Sequence, residues 1–276
     1  MLDRNARGRW INRASATLLV AEAAIILIVM NPGFLGSIHF DVNIKLPARP
    51  TARAVAAASG GAVGSPTPTP TVTASLLPTA PPKPLVTPPP CTYGDVPVVH
   101  GGYTDWKDTL VDTTYDLGAA YIPPDLVSVD QAGMSGTGYV RSLVIDDLHA
   151  LWSAARDAGV DISVTSAYRS YTDQEAVFKE TEASYGTVDA LRIAARPGHS
   201  EHQLGTTIDF FGGQAWLVAF AWTFGFVMSY PAGSSPDVTC YALETWHYRY
   251  YGRDRAAAIH ISGLTTREWL WAYEQK

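Results

Sequence analysis

From Pro47 to Pro90 the chain is built of Pro, Thr, Ala, Ser and Gly with few large apolar residues, as in Ser65-Pro66-Thr67-Pro68-Thr69-Pro70 and Pro88-Pro89-Pro90. Such a stretch has too little apolar surface to offset the entropy of ordering and builds no core. Its proline density makes it either an extended spacer, rising about 3.1 Å per residue where it is polyproline II, or a disordered tether. Both readings hold whatever follows at a distance from whatever precedes. The stretch therefore confines the core-forming sequence to residues 93–276, a length suited to one globular domain. No internal repeat is visible there.

Ahead of the tether, Arg4, Arg7, Arg9 and Arg13 stand against a single acid, Asp3, and Ala14–Met30 is apolar except for Ser15, Thr17 and Glu22. The apolar character resumes at Phe34 and Leu35 after Asn31-Pro32-Gly33, so residues 14–35 are expected to form a membrane anchor. The arginines before it place residues 1–13 in the cytoplasm and the bulk of the chain outside. A cleaved signal peptide is the competing reading, because Ala56–Gly61 is a run of small residues. That run lies far beyond an ordinary cleavage distance, which favours the anchor. The expected arrangement is a single-pass protein of the cell membrane with a linker over 36–92 and an extracytoplasmic domain over 93–276. The net charge is -6 and aromatic residues are not interleaved with basic ones, which excludes a nucleic-acid surface. The chain is expected to be a monomer.

Within the domain, Arg196–Phe210 carries His202 seven residues before Asp209. Imidazole nitrogen and carboxylate oxygen both suit Zn²⁺, and a catalytic zinc keeps three protein ligands and one open position. Seven is an odd separation, so on one straight strand the two side chains would face opposite sides; Gly205 is the residue best able to turn the chain between them. After it, Ile208 and Phe210 share one face of a strand and Thr207 and Asp209 the other. Glu244-Thr245-Trp246-His247 supplies a third ligand with a general base three residues away, and the two converge only if the chain bends near Thr245.

Taken with Ser166-Ala167-Tyr168-Arg169-Ser170-Tyr171 and Gln174, these residues resemble the D-alanyl-D-alanine carboxypeptidase family of zinc peptidases, which trim bacterial cell-wall peptides. The patterns of that family are Ser-Gly-Tyr-Arg-Ser, Ser-x-His-x-x-Gly-x-x-x-Asp and Glu-Pro-Trp-His. Here Ala167 replaces the glycine and Thr245 the proline, while Ser229 stands where relatives often carry arginine and Cys240 where they more often carry glycine. The resemblance runs from about Tyr115 to the C-terminus. It implies one Zn²⁺ per chain on His202, Asp209 and His247, Glu244 as general base, and a peptidoglycan stem peptide as substrate. Arg169 is implied in the active site, gripping a terminal carboxylate or meeting the oxyanion. Gln174 and Ser200 match positions that line the peptide pocket. His199 and Glu201 flank a ligand, where either could support it from behind, and neither is counted among the site residues. An L,D-carboxypeptidase, a crosslink endopeptidase and a wall-binding module without turnover are the alternatives. Cys91 and Cys240 are the only cysteines, and in an exported chain they are expected to pair.

The expected fold is α+β, a small, mainly antiparallel sheet flanked by helices. Val140, Val144, Leu148, Leu151 and Ala155 recur at helical spacing and predict a helix over about 139–158. A short strand at Ile162 and Val164 follows, then a helix opened by a Thr172/Glu175 capping box. Further helices are expected over 188–195 and 214–224, strands over 226–230 and at the end of 244–250, and a last helix capped by Thr265 with Glu268.

Overall fold

The computed structural model describes residues 87–275; residues 1–86, which contain the expected anchor and most of the tether, and Lys276 lie outside the described residues. In chain order the elements are β1 (Val96–Pro97), β2 (Tyr115–Asp116), β3 (Leu126–Ser128), β4 (Tyr139–Arg141), α1 (Ile145–Asp157) and β5 (Ser163–Ser166). They continue through α2 (Tyr171–Tyr185), α3 (Thr187–Ile193), β6 (Thr207–Phe211), α4 (Gln214–Phe220) and β7 (Phe226–Met228). The chain ends in α5 (Pro236–Thr239), β8 (His247–Tyr250), α6 (Arg253–Ser262) and α7 (Thr266–Tyr273). The principal sheet has the order β5-β6-β8-β7 with every pairing antiparallel, while β1-β2 is a short parallel pair and β3-β4 a short antiparallel one. This is the expected α+β architecture. Among the described residues no helix is long and apolar enough to cross a membrane.

Strand alternation splits the sheet into an apolar and a polar face. Ile208, Phe210, Phe226, Tyr248 and Tyr250 pack on Leu148, Leu151 and Ala155 of α1, together with Val140, Val144 and Val164. Leu148 and Leu151 are fully buried, and truncating either to alanine would cost about 2–5 kcal/mol. Asp209, His247 and Arg249 leave the opposite face, and all three are buried. The core therefore holds up the strands that carry the polar cluster.

The helix expected from residue 139 begins later. Tyr139–Arg141 pairs with Leu126–Ser128, and a 3₁₀ turn over Ser142–Val144 precedes α1. Arg141 N donates to Gly205 O at 2.8 Å, so this strand supports the turn before β6. Val140 and Val144 are buried in either conformation, which is why periodicity alone extended the helix. The cap of α2 is also displaced: Ser170 Oγ accepts from Asp173 N at 3.1 Å and Ser170 N donates to Asp173 Oδ2 at 3.3 Å, two residues before the expected Thr172/Glu175 box. Glu175 instead pairs with Lys179 one turn on, at 2.8 Å. The helix expected over 214–224 tightens to 3₁₀ at Ala221–Phe224, closed by Gly225. The Thr265/Glu268 box on α7 is present as expected.

Cys91 and Cys240 are disulfide-bonded. Pro89 O accepts from Arg267 Nη2 at 3.0 Å, so the last residues of the proline-rich stretch are held against the domain rather than standing off from it.

Candidate metal centre

His202 sits on a 3₁₀ turn over Glu201–Leu204, and Gly205 ends that turn in the left-handed region with φ 71°. A side chain at Gly205 would be strained by that φ, and its Cβ would lie 3.0 Å from Leu126 Cδ2 and 3.1 Å from Arg141 Cγ. The turn sends the chain back along β6, where Asp209 faces the same space as His202. Asp209 is the direct cross-strand partner of His247. The bend expected near Thr245 is a turn in which His247 N donates to Glu244 O at 3.4 Å. All three expected ligands thus converge from two adjacent strands and one turn.

Their geometry suits a tetrahedral metal. His202 Nε2 lies 3.2 Å from Asp209 Oδ2, and His247 Nδ1 lies 3.3 Å from Asp209 Oδ1. Ligand bonds of about 2.0–2.1 Å at tetrahedral angles place donor atoms about 3.3 Å apart. One donor atom from each of His202, Asp209 and His247 lies within 4.8 Å of the others. The ring protons are also placed for a metal. Ala167 O can only accept, so His202 Nδ1, at 2.6 Å, carries the proton and Nε2 presents its lone pair. His247 points Nε2 at Glu201 Oε2, at 3.1 Å, and Nδ1 into the cluster. Asp209 Oδ1 is buried with no hydrogen bond among the described residues, as a carboxylate oxygen reserved for a cation would be.

Glu244 borders the cluster, its Oε2 3.3 Å from His247 Nδ1 and its side chain 19% exposed. Burial pushes its carboxyl up to about 7, against the attraction of His247. This is the range in which a carboxylate takes up and returns protons near neutrality. Burial alone would also raise Asp209, but His202 and His247 hold it far below the usual carboxylate range. Burial lowers His202, helped by the charges of Arg169 and His247. Burial would lower His247 too, yet Asp209, Glu201 and Glu244 together push it up to about 10. Arg169 reaches in from the β5-α2 loop, with Nη2 3.3 Å from Ser166 Oγ and 4.0 Å from Asp209 Oδ2. It brings a fixed positive charge to the edge of the site.

Gln174 and Ser200 are both engaged within the protein. Gln174 is buried and donates from Nε2 to Ala195 O at 2.6 Å, bracing the loop that leads to His202. Its Oε1 is buried with no hydrogen-bond partner among the described residues. Ser200 Oγ accepts from His202 N at 3.4 Å and caps the ligand's turn. His199 turns away from the cluster, with Nδ1 2.7 Å from Asp112 O and Nε2 3.1 Å from Asp95 Oδ1. Glu201, left outside the site on sequence grounds with a supporting role open, is buried and touches His247, Ser229 and Arg249. Its signal was present only as an acid beside a ligand. Ser229, where a positive group was expected to be missing, donates to this same carboxylate at 2.6 Å.

An α+β domain whose sheet and the turn ahead of β6 bring His202, Asp209 and His247 to one point, with Glu244 and Arg169 beside them, has the make-up of a zinc metallopeptidase. Residues 137–253 match the family described as VanY, D-alanyl-D-alanine carboxypeptidase. The D-alanyl-D-alanine carboxypeptidase of Enterococcus faecalis is 30% identical over 189 residues, covering 62% of this chain and 68% of that protein. Among solved structures, the LdcB LD-carboxypeptidase is 30% identical with a TM-score of 0.54, covering 59% of this chain and 85% of that one. The D,D-pentapeptidase VanY of a VanB-type vancomycin-resistance cassette, in complex with Zn(II), is 29% identical with a TM-score of 0.54, covering 60% of this chain and 99% of that one. The chain belongs to the VanY family of D-alanyl-D-alanine carboxypeptidases.

Proposed function

We propose that the protein is a zinc-dependent D-alanyl-D-alanine carboxypeptidase that removes the terminal residue of peptidoglycan stem peptides, working outside the cell from a single-pass anchor at residues 14–35. The observation that carries this reading is the pairing of Glu244 with the ligand cluster: a carboxylate at 3.3 Å from His247 Nδ1, pushed up to about 7, on the rim of a three-donor site. His202, Asp209 and His247 would hold the metal, and zinc bound there supplies Lewis acidity and an acidified water. Glu244 takes the proton of the attacking water as its oxygen adds to the scissile carbonyl, and returns a proton to the leaving amine as the C–N bond breaks. Arg169 either pairs with the C-terminal carboxylate of the peptide, which sets the cut one residue from the end, or meets the oxyanion. Buried walls around the cluster strengthen each of these charge interactions.

The likeness to the LdcB LD-carboxypeptidase favours a second reading, in which the residue before the scissile bond is L rather than D. Incubating the purified full-length protein with zinc and a pentapeptide ending in D-Ala-D-Ala, beside a tetrapeptide whose single terminal D-Ala follows an L-centre, separates the two by mass spectrometry. Loss of one alanine from the pentapeptide alone supports the first reading. Loss from the tetrapeptide alone supports the second, and loss from neither overturns both.

A further inference from the structure

Glu201 lies at the centre of a buried network that the ligand set does not explain. Its Oε2 accepts from Ser229 Oγ at 2.6 Å and lies 3.1 Å from His247 Nε2, and its Oε1 accepts from Arg249 Nη1 at 2.9 Å. Glu201 is 4% exposed and Arg249 is fully buried. Arg249 is fixed in turn by Trp106 O at 2.7 Å and Thr109 O at 2.8 Å, both taken by Nη2. His247 and Arg249 are two apart on β8 and so leave the same face of the sheet. Ser229 follows β7, and its N donates to His247 O at 3.3 Å. β8 and the segment just after β7 thus bring three donors to a single carboxylate held on the turn.

We propose that Glu201 is the positioning residue that makes His247 a metal ligand through Nδ1. The inference rests on the metal reading of the site. An ionised carboxylate only accepts hydrogen bonds, so the His247 nitrogen that faces it must carry the proton. That nitrogen is Nε2, so once His247 is neutral the lone pair lies on Nδ1, the nitrogen 3.3 Å from Asp209 Oδ1. The two histidine ligands are therefore oriented oppositely: His202 is held by a backbone carbonyl on Nδ1, His247 by a carboxylate on Nε2. Tyr230, with its ring centroid 4.9 Å from that of His247, braces the imidazole from the side. Arg249 supplies the opposing charge that a buried carboxylate needs, and as a donor-only group it also fixes which oxygen of Glu201 is left for His247.

Glu201→Gln tests this directly, because the amide has the shape of the carboxylate but one end donates. Arg249 can only donate, so it captures the amide oxygen and turns the NH₂ toward Ser229 and His247 Nε2. A donor facing Nε2 favours the opposite tautomer, with the proton on Nδ1 where the metal belongs. The full-length protein is titrated with zinc against a chelator of known affinity, in parallel with circular dichroism and thermal melting of the metal-free forms. Glu201→Gln is expected to weaken zinc binding by about 10–100-fold while remaining folded, the usual effect of removing a partner of a metal-bound histidine. Ser229→Ala, which spares the contact to His247, should weaken it less. A folded Glu201→Gln protein that binds zinc within about threefold of the unmodified chain would overturn the proposal. If the variant does not fold, ¹⁵N spectra of the histidines in the unmodified zinc-loaded protein decide instead. They are expected to show His247 metal-bound at Nδ1 with a slowly exchanging Nε2 proton, and His202 metal-bound at Nε2. Coordination of His247 through Nε2 overturns the proposal, and an unmodified chain that takes up no zinc overturns the metal reading itself.

Discussion

Asp209 and His247 face each other directly across β6 and β8, and Asp209 Oδ1 comes within 3.3 Å of His247 Nδ1. Two expected ligands that share one rung of an antiparallel ladder are spaced by the backbone itself, so little freedom would remain to be lost on binding a metal. His202 completes the set from a turn, and its placement depends on Gly205. The turn ahead of β8 puts Glu244 at the rim of the site, with Oε2 3.3 Å from His247 Nδ1.

That arrangement predicts a division of labour. Glu244→Gln should keep about one zinc per chain and lose turnover by about 10²–10⁴-fold. His202→Ala, Asp209→Ala and His247→Ala should each lose metal and activity together, because three ligands leave none spare. Arg169→Ala should retain metal and cleave poorly, raising KM if the guanidinium holds the carboxylate of the substrate and lowering kcat if it meets the oxyanion. Metal analysis beside steady-state kinetics on the five variants checks this; an active His247→Ala protein contradicts it.

Zinc uptake should release a proton. In the metal-free site His247 is pushed up to about 10, so it is protonated at neutral pH, whereas His202 is lowered and Asp209 is held ionised. Raising the pH toward 10 removes the competing proton from His247, so affinity should strengthen with pH across the neutral range. The stability of the metal-free fold runs the other way. The contribution of His247 is complete below its ordinary value of 6.5 and fades as pH rises through about 10. Calorimetry in two buffers of different ionisation enthalpy should give about one proton released per zinc near pH 7. Uptake without proton release would count against the assignment.

The Cys91–Cys240 bond closes a loop with a sequence separation of 149 residues. Loop-closure entropy assigns such a bond about 4–5 kcal/mol, and removing a native disulfide from an exported domain costs about 2–5 kcal/mol. Denatured, unreduced protein should show no free thiol on labelling. The Cys91→Ser/Cys240→Ser protein should melt well below the unmodified one, and an unchanged melting temperature would show that the noncovalent contacts suffice.

The proposed topology places residues 93–276 outside the cell. Protease added to intact cells should cut within the proline-rich stretch and release a soluble fragment of that extent. Protection until the membrane is breached would place the domain on the other side.

The three residues that converge in the candidate metal centre were legible in the sequence because each announced itself locally. Asp209 lay on the polar face of an alternating run, His202 across a glycine from it, and His247 three residues after an acid. The sheet order was not legible in that way, because a cross-strand partner such as His247 for Asp209 is set by long-range pairing. The start of α1 was misplaced because Val140 sits inside whether residue 139–141 is strand or helix, and only the partner β3 decides between them. The cap of α2 was misplaced by two residues because Ser170/Asp173 and Thr172/Glu175 offer overlapping chemistry, and the one realised is the one where the backbone of Ser170 is extended. A supporting role for Glu201 could be raised from the sequence but not assigned, because its partners, Ser229, His247 and Arg249, are 28, 46 and 48 residues away in sequence. Its character is set by the strands that surround it.

Arg267 and the disulfide grip the chain at nearly the same point, Arg267 on Pro89 O and Cys240 on Cys91, while Arg267 also binds Asp112 Oδ2 at 2.7 Å and Val238 O at 3.1 Å. Any pull exerted through the chain ahead of residue 87 therefore enters the domain at this clasp. A covalent bond and a buried guanidinium bear it before the weak two-residue pair β1-β2 does. The load passes into Cys240, four residues short of Glu244, so tension on the chain ahead of this point is borne by covalent structure before it can open the fold.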